Sequence, residues 1–340
     1  MRTIVRILTS LFPIGLLALG GCRKIVAEAM QANEHPHADA AMVVTAEGEH
    51  LGEDQALGEK LNGYVRDCLN RFSRPVRASE ERYYSWVDPH KGPAAKVRKV
   101  NGIDSISVDP DLCRSAVLRA NGRPPNLPAM EKKAEAYVAS LDELVPVVNE
   151  ASSYYARGDY KTDKMAKAKE LHPKVVGAFE AFDRADGELA EAVDQVQDDL
   201  DRRELLRIER DEGKKAHWHV VRATVLAKPV LHESAKDPAV IDVATLGSSC
   251  EAFGGAVSDF EAWAKDNPTD AAKSSKFMGA ARDLANACDA LGQRLKEKKP
   301  FSAAEKRRLG TSAGPMVEGS PDAVLDRYNR VIEAYNVVRY

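Results

Sequence analysis

A serine nucleophile is the first chemistry that the sequence suggests. Gly310-Thr311-Ser312-Ala313-Gly314 has the Gly-x-Ser-x-Gly spacing of serine hydrolases. That arrangement works when a strand precedes the serine and a helix follows it, which exposes the hydroxyl on a sharp turn. Here a helical piece ends at Leu309, and Pro315 follows the motif at once. We therefore expect a flexible turn over 310–314 and no catalytic residue.

The spacing of the histidines does not predict a metal site. His217 and His219 flank Trp218, but side chains two residues apart on a helix point about 200° away from each other. We expect one packed and one exposed imidazole. Three further histidines precede residue 51, where weak metal capture and ordinary polar composition are alternatives. Since no phosphate-binding glycine loop or His-Glu-x-x-His motif occurs either, we expect no metal, no cofactor and no enzymatic activity.

Cys22 stands where a thiol is acylated in bacterial lipoproteins. Residues 1–21 begin with two arginines, continue with an apolar stretch and end before Cys22 as Leu19-Gly20-Gly21, which resembles a lipobox. The apolar stretch is about 12 residues long, too short for the roughly 20 that span a bilayer as a helix. We expect 1–21 to be a cleaved signal peptide and Cys22 to carry acyl chains that anchor the protein. The alternative is an ordinary signal with an incidental cysteine.

A lipidated Cys22 predicts a bacterial envelope protein that faces the periplasm. Arg23 follows it where an aspartate would favour retention in the inner membrane of enterobacteria, so the outer membrane is expected. Without 1–21 the chain has 47 basic and 52 acidic residues, a charge of about −5. That balance argues against a nucleic-acid partner and gives no electrostatic attraction to anionic lipid. Residues 22–53 have no apolar period, and we expect a flexible tether.

The other four cysteines form two pairs that are equidistant from turns. In an antiparallel helical hairpin, residues at equal distances from the turn stand side by side. Cys68 and Cys113 are centred on the proline- and glycine-containing stretch 88–93, and Cys250 and Cys288 on the stretch 267–270. We predict the disulfides Cys68–Cys113 and Cys250–Cys288, with free buried thiols as the alternative.

Composition and periodicity predict an all-α fold. Hydrophobic residues make up 44% of the chain and aromatic residues only 6%, a balance typical of amphipathic helices. Apolar residues recur three and four apart in most of the chain after residue 54. We predict an elongated bundle of long antiparallel helices in one domain, 54–340, interrupted by an irregular segment at about 92–128. The expected helices are 54–87, 130–157, 174–235, 239–265, 271–297 and 321–340.

One predicted helix is unusually long. Residues 174–235 would extend about 93 Å as a single helix. Within them, 13 of the 18 residues at 198–215 are charged. A solvated helix and a break between two helices are the alternatives at this segment.

Three groups of residues resemble a known family. The central block and both ends are similar to the YiiG-like bacterial lipoproteins, a family without an established function. The likeness covers about 55–340 and implies a helical, lipid-anchored domain of unknown function. The residues that carry it are Tyr154-Tyr155, Gly158 to Asp163, Lys169 to Pro173, Phe179 to Phe182, Leu61 to Tyr64, Asn70, Tyr328 to Ile332 and Tyr335-Asn336.

Asparagines follow one face of the first helix and one face of the last. Asn62 and Asn70 are eight residues apart, and Asn329 and Asn336 are seven apart. If these side chains are buried, they need partners, and a shared amide network between the two helices would fix their register.

Tyr155, Tyr160, Asp163 and His172 surround a predicted helix junction and could line a polar pocket. The alternative is structural, with Asp163 or Thr162 capping the next helix and the tyrosines packing with their hydroxyls at the surface. We therefore expect a lipid-anchored, non-enzymatic envelope protein that binds a protein or polymer partner. The alternative function is a small-ligand or metal-binding lipoprotein that uses this junction.

Overall fold

The computed structural model describes residues 46–94, 99–236 and 240–338, with side chains from residue 52 onward. The predicted signal peptide, the predicted acylation site at Cys22 and most of the predicted tether lie outside the described residues. The predicted all-α class is confirmed, since the regular elements in the described ranges are helices and none is a strand. No helix in these ranges is long and apolar enough to cross a membrane.

The helices pack as two compact units. The N-terminal unit ends at Gln197 and the C-terminal unit begins at Asp198. Each unit is described separately below, and the expectation that 54–340 form one domain stays a prediction.

The N-terminal unit starts with a helical run in three parts. Helix α1 spans Ala46–Tyr64, a π-helical turn spans Val65–Leu69, and α2 spans Asn70–Tyr84. The run begins eight residues before the predicted start, so the predicted tether is wrong for 46–53. The sequence AEGEHLGE lacks an apolar stripe, but its alanine, glutamates and leucine favour a helix without one.

Helix α3, Pro110–Asn121, lies inside the segment predicted to be irregular, so that prediction is wrong there. The side chain of Asp109 caps the helix by accepting a hydrogen bond from the amide of Asp111 at 3.0 Å, and Pro110 occupies the first turn. Cys113 on α3 is bonded to Cys68 in the π-helical turn, with 4.7 Å between their Cα atoms. The first predicted disulfide is confirmed.

Helix α4, Pro128–Arg157, ends at Gly158 as predicted, where a φ of 75° reverses the chain. A 3-10 turn at Asp159–Lys161 leads to α5, Ala166–Glu212, which continues from the N-terminal unit into the C-terminal unit.

Residues 174–235 form parts of two helices, which decides between the alternatives. Gly213, with a φ of 77°, ends α5, and α6 spans Ala216–Ser234. The break lies in the charged segment.

The C-terminal unit contains a four-helix bundle. Helix α6 is followed by α7, Val243–Asp266, the short α8, Pro268–Ala271, and α9, Ser275–Lys296. A connector holds the short α10, Ala303–Lys306, and leads to α11, Pro321–Tyr335. Helices α6, α7, α9 and α11 pack in a closed ring around Phe253, Phe260 and Leu284.

Two further predictions concern this bundle. The second predicted disulfide, Cys250–Cys288, is confirmed and joins α7 to α9, with 5.8 Å between the Cα atoms. Ser320 caps α11 as expected and accepts a hydrogen bond from the amide of Ala323 at 3.1 Å. The helix ends at Tyr335, which is earlier than the predicted Tyr340.

Candidate functional site

The four residues of the predicted junction pocket lie around the turn between α4 and α5. Asp163 accepts hydrogen bonds from the hydroxyl of Tyr154 at 2.8 Å and from the amides of Met165 and Lys167 at 2.9 and 3.1 Å. The capping interpretation of Asp163 is therefore confirmed. Tyr155 is 7% exposed and its hydroxyl oxygen is buried, so the alternative in which this hydroxyl lies at the surface is wrong.

His172 is buried and fastens the end of α2 to α5. Its Nε2 donates to the carbonyl oxygen of Pro89 at 3.1 Å, and the hydroxyl of Tyr83 lies 2.9 Å from Nδ1. Gly92, at a φ of 72°, passes so near that a Cβ atom there would lie 3.0 Å from the imidazole. Both ring nitrogens are thus used inside the protein. Ligand binding at Tyr155, Tyr160, Asp163 and His172 stays a prediction.

The predicted amide network lacks its physical basis. The side chains of Asn70, Asn329 and Asn336 are exposed, and that of Asn62 is half-buried. An exposed amide is hydrogen-bonded by water, so it does not need a buried partner. The asparagine spacing therefore marks a solvated helix face.

The Gly-x-Ser-x-Gly segment forms turns, as expected. Ser312 is exposed between a bend and a 3-10 turn at Gly314–Met316. The amide of Gly310 donates to Asp322 at 2.7 Å, which fastens the segment to the first turn of α11.

A cleft that the sequence did not predict opens on the C-terminal unit, and we call it the tryptophan cleft. The loop before α6 and the first two turns of α6 form one wall, and the last turns of α7 form the other. The cleft is shallow and open to solvent, with a volume of about 590 Å³. Its lining residues are Lys214, Trp218, His219, Arg222, Asp259 and Trp263.

Two cations lie over the same indole in this cleft. The ammonium of Lys214 is 5.0 Å from the ring centre of Trp218, and the guanidinium of Arg222 is 5.1 Å from it. Arg222 also donates to Asp259 across the cleft at 2.7 Å. Asp259 thus balances one of the two positive charges inside the cleft, and Lys214 contacts Glu209 outside it at 3.1 Å.

His217 and His219 are both buried, 9% and 6% exposed, so the prediction of one exposed imidazole is wrong. His219 lies parallel to Phe260 with 5.1 Å between ring centres, and Trp263 lies 5.4 Å away. Burial lowers the pKa of His219 to about 4, and the positive charge of Arg222 adds to the effect. The imidazole is therefore neutral at pH 7.

Two buried nitrogen atoms at the cleft have no hydrogen-bond partner among the described residues, Nε1 of Trp218 and Nδ1 of His219. A buried polar atom without a partner costs about 1–3 kcal/mol of stability. Buried polar atoms without a partner are typical of functional sites, where a protein is less stable than its fold would allow. The lining contains two cations, the carboxylate of Asp259, two indole rings and one neutral imidazole, but no serine or cysteine nucleophile.

The equidistance rule that predicts the two disulfides also predicts which residues face each other in the cleft. The loop between α6 and α7 is centred near residue 240, and residues equidistant from it meet. His219 accordingly faces Phe260, and Arg222 faces Asp259.

In the ranges that the structure covers, no group of three or more histidine, cysteine, aspartate or glutamate residues is arranged to hold a metal ion.

The "Uncharacterized protein YiiG" of Escherichia coli (strain K12) is 28% identical to this chain, over 98% of this chain and 99% of its own length. No solved structure matches. Residues 55–337 match the family described as "Protein of unknown function (DUF3829)", which agrees with the resemblance seen in the sequence. The chain therefore belongs to this family.

Proposed function

We propose that this protein is a non-enzymatic binding protein, anchored in the bacterial envelope by acyl chains on Cys22, that takes its ligand in the tryptophan cleft. The observation that carries the binding role is the pair of cations, Lys214 and Arg222, over the buried indole of Trp218. The sequence Leu19-Gly20-Gly21-Cys22 supports the anchor. Arg23 favours the outer membrane, facing the periplasm.

The lining favours a ligand that carries an acidic group beside a flat or apolar one. Arg222 is 26% exposed and pre-oriented by Asp259, so a carboxylate or phosphate can approach a fixed guanidinium. Trp263 is half-buried and offers apolar surface next to it. Tryptophan and arginine are also the residue types that contribute most to binding in protein interfaces. The ligand group belongs to a protein, a polymer or a small molecule of the envelope.

The cleft is tested with 8-anilinonaphthalene-1-sulfonate, which joins an acidic group to flat rings. We expect stoichiometric binding, weakened roughly tenfold or more by Arg222→Gln through loss of the charged contact. Trp263→Ala should have a similar effect. The matched control is Arg282→Gln, because Arg282 makes an equivalent contact to Glu261 on α7 at 2.7 Å outside the cleft.

Two outcomes would contradict the binding site. One is a dye affinity that Arg222→Gln and Arg282→Gln lower equally. The other is loss of binding in Asp163→Ala with binding kept in Trp263→Ala, which would move the site to the α4–α5 junction. Native mass spectrometry of the protein from its own host then identifies the natural ligand.

The anchor is tested separately in intact cells. We expect palmitate label on the wild-type protein and none on Cys22→Ser, which should leave the membrane fraction. Unprocessed, unlabelled wild-type protein in the cytosol would refute the anchor without affecting the cleft.

A further inference from the structure

Positive charge is concentrated between α9 and α11. Residues 296–318, which we call the basic connector, contain six lysines and arginines and three glutamates, whereas the whole chain has a formal charge of −3. All six cations are exposed, and none is in an ion pair with a described residue. They are Lys296, Lys298, Lys299, Lys306, Arg307 and Arg308.

Contacts between the end of α9 and the connector bring the two groups of three cations, at 296–299 and at 306–308, together. Arg294, at the end of α9, donates to Glu305 at 2.8 Å and lies 4.4 Å from the ring centre of Phe301. Ser302 and Glu305 form a reciprocal cap on α10. Lys296, Lys298 and Lys299 lie at and just after the end of α9 that carries Arg294. Lys306, Arg307 and Arg308 directly follow Glu305, so both groups lie beside the contact between Arg294 and Glu305. Because Glu305 is held by Arg294, it does not neutralise the exposed cations.

Lys298 occupies a backbone position that normally selects glycine. Its φ is 50°, and the amides of Lys298 and Lys299 donate to the carbonyl oxygens of Leu295 and Arg294, both at 3.0 Å. This pattern ends a helix and is usually built with glycine at the left-handed position. The chain has a lysine there in spite of the backbone strain, which indicates that the charge itself is useful.

The connector also exposes an apolar side chain. Met316 is 78% exposed at the far end of the same segment. Exposed lysines and arginines in the same segment as an exposed apolar residue are typical of surfaces that lie on a membrane.

We propose that the basic connector docks on an anionic phospholipid surface. The net charge alone gives no electrostatic attraction to anionic lipid, but attraction to a charged surface depends on the charges within a screening length of about 8 Å. The six cations are exposed on the end of α9, on α10 and on the turns next to these helices, which suits a flat layer of phosphate groups better than a single small anion. The proposal does not require the acyl chains or the tryptophan cleft.

The test uses the full mature chain with Cys22→Ser, so that acyl chains cannot contribute. We expect binding to vesicles of phosphatidylcholine with phosphatidylglycerol, none to phosphatidylcholine alone, and release by salt. The triple variant Lys306→Gln, Arg307→Gln, Arg308→Gln should weaken binding about a hundredfold, from a contribution of roughly fivefold for each charge. The variant Lys296→Gln, Lys298→Gln, Lys299→Gln provides an independent second measurement.

A matched control removes the same charge elsewhere. Lys265, Lys273 and Lys276 are exposed, have no ion pair in the described ranges, and lie near the start of α9. Since α9 has 22 residues, they are about 33 Å from the basic connector. Their triple change to Gln should weaken binding less than about threefold.

The proposal fails if the control and the connector variants weaken binding equally, or if phosphatidylglycerol has no effect. Release by glycerol phosphate at the same phosphate concentration would indicate a small-anion site instead. Tighter binding to polyglutamate than to vesicles would indicate an acidic protein partner. Either result would overturn the assignment to phospholipid.

Discussion

The ammonium of Lys60 is wholly buried and is ion-paired with Glu131, the side chain that also accepts a hydrogen bond from the amide of Leu127. The same ammonium donates to the carbonyl oxygens of Arg123 and Pro125 at 3.0 and 2.9 Å. One lysine on α1 thus satisfies the polar groups of the loop between α3 and α4.

Replacing this lysine should be strongly destabilising. Lys60→Met keeps the apolar stem but leaves Glu131 and two carbonyl oxygens without their donor, and we expect a loss of about 3 kcal/mol in the free energy of unfolding. Urea denaturation measures it. In the control Lys174→Met, which removes an exposed contact to Glu170, the change should stay within about 0.5 kcal/mol. Equal losses in the two variants would show that Lys60 has no special role.

Much of the fold was predictable because helical hairpins are governed by local rules. The turn midpoints gave both disulfides, and Ser320-Pro321-Asp322 gave the start of α11. The same type of start signal, Asp109-Pro110-Asp111, precedes α3, but the prolines and glycines around it are typical of an irregular segment.

The candidate sites were harder to predict, for a physical reason. The role of Lys60 depends on carbonyl oxygens more than 60 residues away, and a lysine in an apolar stripe does not reveal its partners. The tryptophan cleft likewise needs two helices to be aligned first. Spacing within one helix indicates which residues share a face, but not what the opposite wall contributes.

Each disulfide should contribute substantially to stability. The bridges Cys68–Cys113 and Cys250–Cys288 span 45 and 38 residues of sequence. Restriction of the unfolded chain predicts about 4 kcal/mol for loops of this length. We expect the double variants Cys68→Ala, Cys113→Ala and Cys250→Ala, Cys288→Ala each to unfold at lower urea concentration. A loss below about 1 kcal/mol in both would contradict the chain-entropy argument.

The protein should lose stability as the pH falls from about 6.5 to about 4. In that window an unfolded His219 takes up a proton, whereas the buried ring, with its pKa of about 4, stays neutral. The free energy of unfolding should fall by about 2–3 kcal/mol from this residue. Urea curves at several pH values measure the slope, and His219→Phe should flatten it while His90→Gln, at an exposed position, should not. An unchanged slope in His219→Phe would show that other groups dominate.

Lys298→Gly should make the protein more stable. Glycine adopts the φ of 50° without the clash of a Cβ atom, and the gain should be about 0.5–1 kcal/mol after its greater freedom in the unfolded chain is allowed for. Thermal and urea unfolding measure the gain, with Lys299→Gly as the control, since Lys299 has no positive φ and should lose stability on the same change. The same Lys298→Gly variant should bind anionic vesicles more weakly, because it removes a charge from the basic connector. If Lys298 is present for its charge at a cost in stability, the variant should be more stable and should bind the vesicles more weakly. A variant that is more stable and binds the vesicles as well as the wild type would contradict this role of the lysine.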